Sequence, residues 1–280
     1  MSWRDELTVA LGPITRAEPI AGGDINDAWR VECAAGRVFV KTHGSPPPGL
    51  YAAEAAGLAW LAEGPLRVPR VIAAGETFLA LDWLELSPRS SRRGFDERFG
   101  RELAGLHALG APRLGAERDN YLATLGQDNR ACPDVPTWWV ERRLRPMIQR
   151  LAAGALDRSL EPRLVRLLAR PERFGPPEEQ ARPARLHGDL WWGNVGRVGD
   201  EPVVFDPASY GGPREIDLAM LALFGGLGDR LIAAYDEVWP LADGWRERIG
   251  LWQLYPIAVH AVLFGGGYTG QLARGLDELT

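Results

Sequence analysis

One short loop and the strand after it bring two carboxylates and an amide close together in the sequence. Arg185-Leu-His-Gly-Asp-Leu-Trp-Trp-Gly-Asn194 places Asp189 and Asn194 on the same loop, with four residues between them. Val203-Val-Phe-Asp206-Pro-Ala208 then ends a short apolar strand in a second carboxylate. Each piece also has a plain structural reading. Asp189 could cap the turn that follows it, and Asp206-Pro207 could be a strand-ending turn. The rest of the chain decides between these readings by whether it supplies what such a group of oxygens would work on.

Cation usage is the second constraint. Among the 32 Lys and Arg residues, Lys41 is the only lysine. Arginine replaces lysine on a solvated surface but not where a compact ammonium must act as a point charge. Lys41 closes the alternating run Arg37-Val-Phe-Val-Lys41 and shares a face with Phe39. Beyond Pro46-Pro-Pro48, a helix is expected over residues 50–63, with Glu54, Leu58 and Leu61 on one face. A carboxylate on an apolar face needs a partner. Lys41 is its natural one, and a solvated position at the edge of the stripe is the alternative.

Taken in order, the chain opens with a short helix and a strand over residues 1–20. A turn-forming cluster, Ala21-Gly22-Gly23-Asp24-Ile25-Asn26-Asp27, leads into alternating runs at 28–33 and 37–41, an antiparallel meander. The first turn could offer backbone N–H groups to phosphates. Further strands are expected at 71–75 and 78–84. The change to the polar run Arg89-Ser-Ser-Arg-Arg93 sets a boundary between a β-rich lobe, 1–85, and a helical lobe, 86–280. Asp82-Trp83-Leu84 falls at that hinge, where backbone groups could meet an adenine edge. A helix over 95–109 carries His107, which reads as a hydrogen-bonded core histidine. Residues 118–122 and 126–129 read as a polar loop. Helices follow from Trp138 to about 154, at 161–168, 214–224, 229–238, 244–264 and 268–279, with a Pro/Glu-rich connector at 174–183.

The remaining composition narrows the classes. Net charge is −5 without a basic stripe, so nucleic acid is not an expected partner. Two cysteines make no disulfide framework, and the N-terminus has no apolar signal core; together they fit a reducing cytoplasm. Residues 249–273 lack Asp, Glu, Lys and Arg, but Pro256, His260 and Gly265-Gly-Gly267 interrupt them. Their most apolar part falls short of the ~20 residues of a membrane span. A buried helix is the reading, with no membrane association. A monomer or weak dimer is expected.

The parts fit one chemistry. A hydroxyl attacking a γ-phosphate needs a carboxylate to take its proton, divalent cations on the phosphate oxygens and a cation on the α/β-phosphates. Asp189 suits the base. Asn194 and Asp206 suit Mg2+, whose usual ligands are oxygens. Lys41 with Glu54 suits the phosphate cation and its anchor. His187 reads as a brace for the loop, and Asp217 as a carboxylate pointing back to hold the loop backbone.

On these residues the chain resembles the fructosamine kinase (ketosamine 3-kinase) family over nearly its whole length. The resemblance is carried by Gly22-Gly23-Asp24-Ile25-Asn26, Phe39-Val-Lys41, Asp119-Asn-Tyr121 with Gln127, and His187-Gly-Asp-Leu-Trp191-Trp-Gly-Asn194. It continues through Asp206-Pro-Ala208, Arg214-Glu-Ile-Asp-Leu-Ala-Met220 and Leu223-Phe-Gly-Gly226. His-Gly-Asp alone is shared with aminoglycoside and choline kinase relatives; the tryptophan extension with Asp-Pro-Ala is more specific. The resemblance implies an α+β, protein-kinase-like fold of two lobes with ATP in the cleft. It also implies phosphorylation of the sugar 3-hydroxyl of ketoamines formed by glycation. On the acceptor side Trp191 and Trp192 could pack on a sugar, although one of them could fill the core instead. Asp119, Tyr121 and Gln127 could bond sugar hydroxyls or each other. Many family members carry a cysteine where this chain has Asp24, so a redox switch at that loop is not expected. A phosphotransferase for another small alcohol, such as an aminoglycoside, and a non-catalytic ATP-binding protein are the alternative readings.

Overall fold

The computed structural model describes residues 2–21, 26–88, 94–152 and 160–280. Helix α1 (Trp3–Leu11) begins at a capping box in which Ser2 and Asp5 satisfy each other's backbone N–H, and it buries Leu7. Strands β1 (Ile14–Ile20), β2 (Asp27–Cys33) and β3 (Gly36–Thr42) form the expected meander. Helix α2 (Leu50–Leu61) follows, then β4 (Val71–Ala74) and β5 (Phe78–Asp82). The five strands make one antiparallel sheet in the order β1-β2-β3-β5-β4. Lys41 lies opposite Ala28 on one neighbour and Leu79 on the other, so its side chain leaves the middle of the sheet. Leu50, Tyr51 and Leu58 of α2 pack on Leu79 and Leu81, which docks the helix on that face.

Strand β6 (Ser87–Pro88) already belongs to the second half, where it pairs with a strand more than a hundred residues later in the chain. Helix α3 (Phe95–Ala108) buries Phe99, Leu103 and Leu106. The stretch expected to be a polar loop is instead a hairpin, β7 (Asn120–Leu122) and β8 (Leu125–Gln127), with Ala123 left-handed at φ 58° in its turn. Its polar residues close it: Asp119 Oδ1 accepts the Asn129 N–H, and Asn120 Oδ1 accepts from Asn129 Nδ2. Helix α4 (Val135–Trp138) starts three residues earlier than expected, because Asp134 caps the Thr137 N–H at 2.7 Å and Pro136 suits the first turn. It runs through a π-turn, Trp139–Leu144, into α5 (Arg145–Ala152). Beside this bend, buried Arg143 lies 4.7 Å over Trp138 and 4.5 Å over Tyr210 and donates to Asp128 O and Asn129 Oδ1.

Helices α6 (Leu160–Leu168) and α7 (Pro177–Gln180) lead to β9 (Ala184–Leu186), β10 (Val195–Val198), β11 (Glu201–Val204) and β12 (Tyr210–Gly212). These form two small sheets, β11-β10-β6 and β12-β9, that support the Asp189 loop. Helices α8 (Glu215–Leu223), α9 (Asp229–Val238), α10 (Trp245–Phe264) and α11 (Gly267–Leu279) complete an α+β fold. The charge-free run at 249–273 lies mainly in α10, whose Leu251, Trp252, Leu254 and Ala258 are buried in the largest core cluster. No helix among the described residues is long and apolar enough to cross a membrane.

Candidate active site

A cleft of about 910 Å³ opens between the five-stranded sheet and the helical half. Lys41 reaches it from β3. Its ammonium lies 2.8 and 3.0 Å from the two Glu54 oxygens and 3.0 Å from Asp206 Oδ1. Burial by itself would discharge the ammonium, but Asp206 and Glu54 outweigh it and hold the pKa above the usual lysine range. Spacing on a strand and on a helix indicates the Lys41–Glu54 pair. Contact with Asp206 is a product of the tertiary fold.

The loop between β9 and β10 is held by its backbone. Asp217, in the first turn of α8, accepts the N–H of His187 at 2.7 Å and of Gly188 at 2.9 Å. His107 Nε2 lies 3.2 Å from the same carboxylate, and its Nδ1 lies 2.8 Å from the Tyr235 hydroxyl. Helix α3 thereby braces the group that braces the loop. His187 Nε2 donates to Phe205 O at 3.0 Å and Nδ1 accepts the Asp189 N–H at 3.3 Å, the pattern of a neutral ring. Burial lowers its pKa in the same sense. Gly188 is left-handed at φ 82°, and a Cβ there would stand 2.3 Å from Ala208 O, so the turn admits only glycine.

Asp189 therefore sits half-buried at the floor of the cleft. Burial first, and the Asp206 charge second, push its carboxyl pKa up to about 7, against the Asn194 amide that favours its anion. Asn194 Nδ2 donates to Asp189 O at 2.9 Å and to Asp189 Oδ2 at 3.2 Å, which orients the amide so that Oδ1 has no hydrogen bond among the described residues. Asp206 uses one oxygen on Lys41 and is itself left-handed at φ 59°. An amide oxygen and a carboxylate oxygen beside the cleft are the hard donors that Mg2+ takes, with phosphate and water completing its shell. No group of three or more His, Cys, Asp and Glu among the described residues could hold a metal by itself.

The other expected residues divide. Asn26, Asp82, Trp83 and Leu84 line the cleft. Asn26 Oδ1 is buried without a partner. The Asp82 side chain is already taken by the Arg70 N–H at 2.6 Å, and Trp83 Nε1 by Glu85 at 2.7 Å. Gly22 and Gly23 lie outside the described residues. On the acceptor side Tyr121 and Trp191 line the cleft, with the Tyr121 hydroxyl on Pro48 O at 2.8 Å. The Trp191 ring folds over Gly193, where a Cβ would lie 2.1 Å from it. Three residues do not reach the cleft. Asp119 is used in closing the β7–β8 hairpin, Gln127 is buried against the Tyr255 hydroxyl, and Trp192 packs on Phe99 and donates to Gly226 O. Local chemistry and core packing claim them first.

Sequence reasoning missed the far wall. Phe224 at the end of α8, His260 and Phe264 on α10 and Tyr268 on α11 all line the cleft. The available signal is Pro256, His260 and Phe264 at i, i+4 and i+8, one helical face within a stretch that reads as wholly buried.

Comparison with known proteins agrees with this geometry. Residues 3–280 match the family model described as fructosamine kinase. A probable ketoamine kinase from Thermus thermophilus is 38% identical over 261 residues, 93% of each chain. A crystal structure of a candidate fructosamine-3-kinase from Thermobifida fusca YX-ER1 superposes with a TM-score of 0.88 at 39% identity, covering 99% of this chain and 98% of that one. The gentamicin complex of APH(2")-IIa, at 12% identity and a TM-score of 0.63 over 98% and 94% of the two chains, shows only that the fold is the protein-kinase-like one of the aminoglycoside phosphotransferases. With a match that runs from the first helix to the last residue, the chain belongs to the fructosamine kinase family.

Proposed function

We propose that this kinase transfers the γ-phosphoryl group of ATP to the 3-hydroxyl of ketosamines, the fructosyl, ribulosyl or erythrulosyl adducts of amines, in glycation repair or sugar-amine metabolism. The observation that carries the reading is the convergence of Lys41–Glu54, Asp206, Asn194 and Asp189 on one cleft.

Residues 1–85 form the nucleotide lobe and 86–280 the catalytic and acceptor lobe. Asp82 to Leu84 meet the base, and Asn26 and Lys41 meet the phosphates; Gly22 and Gly23, the other residues expected there, lie outside the described residues. Asn194 and Asp206 hold Mg2+, which neutralises phosphate charge when bound. Asp189 orients the acceptor hydroxyl. It takes the proton as the new oxygen–phosphorus bond forms and the bond to the β-phosphate bridging oxygen breaks, releasing ADP. A carboxyl poised near neutrality suits that exchange. Action as a monomer or weak dimer, in the cytoplasm where ATP is available, belongs to the same reading.

Incubation with ATP, Mg2+ and each of the three ketoamine types, followed by mass spectrometry, tests the proposal. Folded protein that forms no phosphorylated product from any of them sinks it. The wall contributed by α8, α10 and α11 carries no carboxylate among its described lining residues, so no observation favours a polyamine acceptor such as an aminoglycoside.

A further inference from the structure

Arg185 lies on β9, paired with Gly211 of β12 and two residues ahead of His187 in the Asp189 loop. Its side chain turns to another element. The residue is 9% exposed, and Nη1 donates to Trp60 O and to Glu63 Oε2, each at 2.7 Å. The guanidinium also lies 4.7 Å from the centroid of the Trp60 ring. All three contacts fall at or just past the end of α2, the helix that carries Glu54. A cation there meets the negative end of the helix dipole. The Glu63 side chain is largely in water, so the half-buried Trp60 ring and its carbonyl carry most of the contact.

Two more contacts fix the same segment against the helical half. Gly57, one turn after Glu54, faces Ser209: a Cβ there would stand 3.2 Å from its Oγ and 3.4 Å from its Cβ. Beyond α2, Arg67 O accepts the Val204 N–H at 2.9 Å. The contacts close a ring. Arg185 holds α2, Glu54 on α2 holds Lys41, and Lys41 holds Asp206. Two residues past Asp206, the Ala208 N–H returns to His187 O at 2.9 Å. Apart from Glu54 itself, α2 meets the sheet through apolar packing on Leu79 and Leu81, which is non-directional. Arg185 adds directional bonds that set the helix along its axis.

We infer that Arg185 is a positioning residue: by fixing the end of α2 it sets Glu54, and through Glu54 the Lys41 ammonium, for the phosphates of the nucleotide. This assignment rests on the proposed reading of Lys41 as the phosphate cation and is independent of the acceptor.

Adenosine and Mg2+-ADP separate the base from the phosphates. Calorimetry gives both Kd values, and their ratio measures the preference for ADP. Arg185→Met, which keeps an apolar arm and removes the donors, should lower that preference by roughly 3- to 30-fold and leave the adenosine Kd unchanged. A merely structural role would lower Tm and leave the ratio at its wild-type value. In a Glu54→Gln background the same substitution should change the ratio by less than about twofold, because the group it acts through is already altered. An unchanged ratio in Arg185→Met, or the full loss repeated in the Glu54→Gln background, overturns the assignment. Should Arg185→Met not fold, Arg185→Lys decides. An ammonium lacks the planar face that stacks on Trp60, so the preference should fall by a smaller factor of about 2 to 5, and a wild-type ratio overturns the assignment. A wild type that binds adenosine as tightly as ADP refutes the phosphate reading of Lys41 and the positioning role with it. A protein that keeps its ADP preference but phosphorylates no ketoamine refutes the proposed reaction and leaves the role of Arg185 to the binding ratios.

Discussion

Lys41 Nζ lies 3.0 Å from Asp206 Oδ1, joining residues 165 positions apart while the same ammonium holds both oxygens of Glu54. All three ammonium donors are therefore occupied. A phosphate can reach Lys41 only by displacing a carboxylate. Glu54, with a side chain 10% exposed, cannot be released to water cheaply, whereas that of Asp206 is 40% exposed. A phosphate arriving at Lys41 should therefore displace Asp206 rather than Glu54.

That exchange predicts strong coupling between Mg2+ and nucleotide. Without the metal, Asp206 would be left facing phosphate oxygens of its own sign. In the wild type Mg2+ should tighten ADP binding by about 5- to 150-fold, the usual range of a coupling free energy. Asp206→Asn should bind metal-free ADP more tightly than the wild type and lose most of the coupling. Calorimetry with and without EDTA reads this, and equal Mg2+ dependence in both proteins refutes it.

Removing the lysine should expose the cost of the buried carboxylate. Lys41→Met leaves Glu54 without its cation, and breaking such a pair typically costs about 3–5 kcal/mol. Glu54→Gln keeps a hydrogen-bonding group against Lys41 and should cost less. Urea unfolding of the two variants gives the order, and a Lys41→Met protein as stable as the wild type contradicts it.

Asp189 should show function and stability in opposition. Its folded pKa, about 7, lies above the ordinary 3.8. For a raised pKa the contribution to stability is fully present below the unfolded value and is lost as pH rises through the folded one. The wild type therefore loses this contribution between about pH 4 and pH 7. Asp189→Asn has no such group to ionise, so its Tm advantage in metal-free buffer should be larger at pH 8 than at pH 5. The same variant should lose about 10²- to 10⁴-fold in turnover while retaining nucleotide binding. A Tm difference that is flat with pH would remove the raised pKa, and wild-type turnover would remove the base.

Two glycines with similar dihedral signs should behave differently. Gly188→Ala brings a Cβ 2.3 Å from Ala208 O at φ 82°. Strain and overpacking together make about 2–4 kcal/mol a reasonable cost. Gly36 has φ 105° but nothing within 4 Å, so Gly36→Ala should cost only about 1 kcal/mol of backbone strain. Equal costs in denaturant titrations would show that the Gly188 contact relaxes.

Much of this site is legible in the amino-acid sequence. The single lysine, the glutamate at helical spacing and the Asp-x4-Asn loop are local features, each tied to one strand, helix or turn. Asp119, Gln127 and Trp192 depart from expectation for a common reason: a polar or aromatic side chain does not reveal in sequence whether a hairpin, a buried hydroxyl or a core will claim it first. Asp134 and Pro136 hold an available helix-start signal, yet counting apolar residues puts the start at Trp138.

The sequence by itself determined most element types, the α+β class and which candidate groups share the cleft, because periodicity, caps and motif spacing act over one or two turns of chain. Only the tertiary structure decided that Asp206 meets Lys41, that His107 supports Asp217, and that His260 and Asp189 line the same cleft. Those relations depend on how the sheet, α3 and α10 pack against one another. Packing is set by the summed burial of side chains far apart in the chain, which leaves no local pattern.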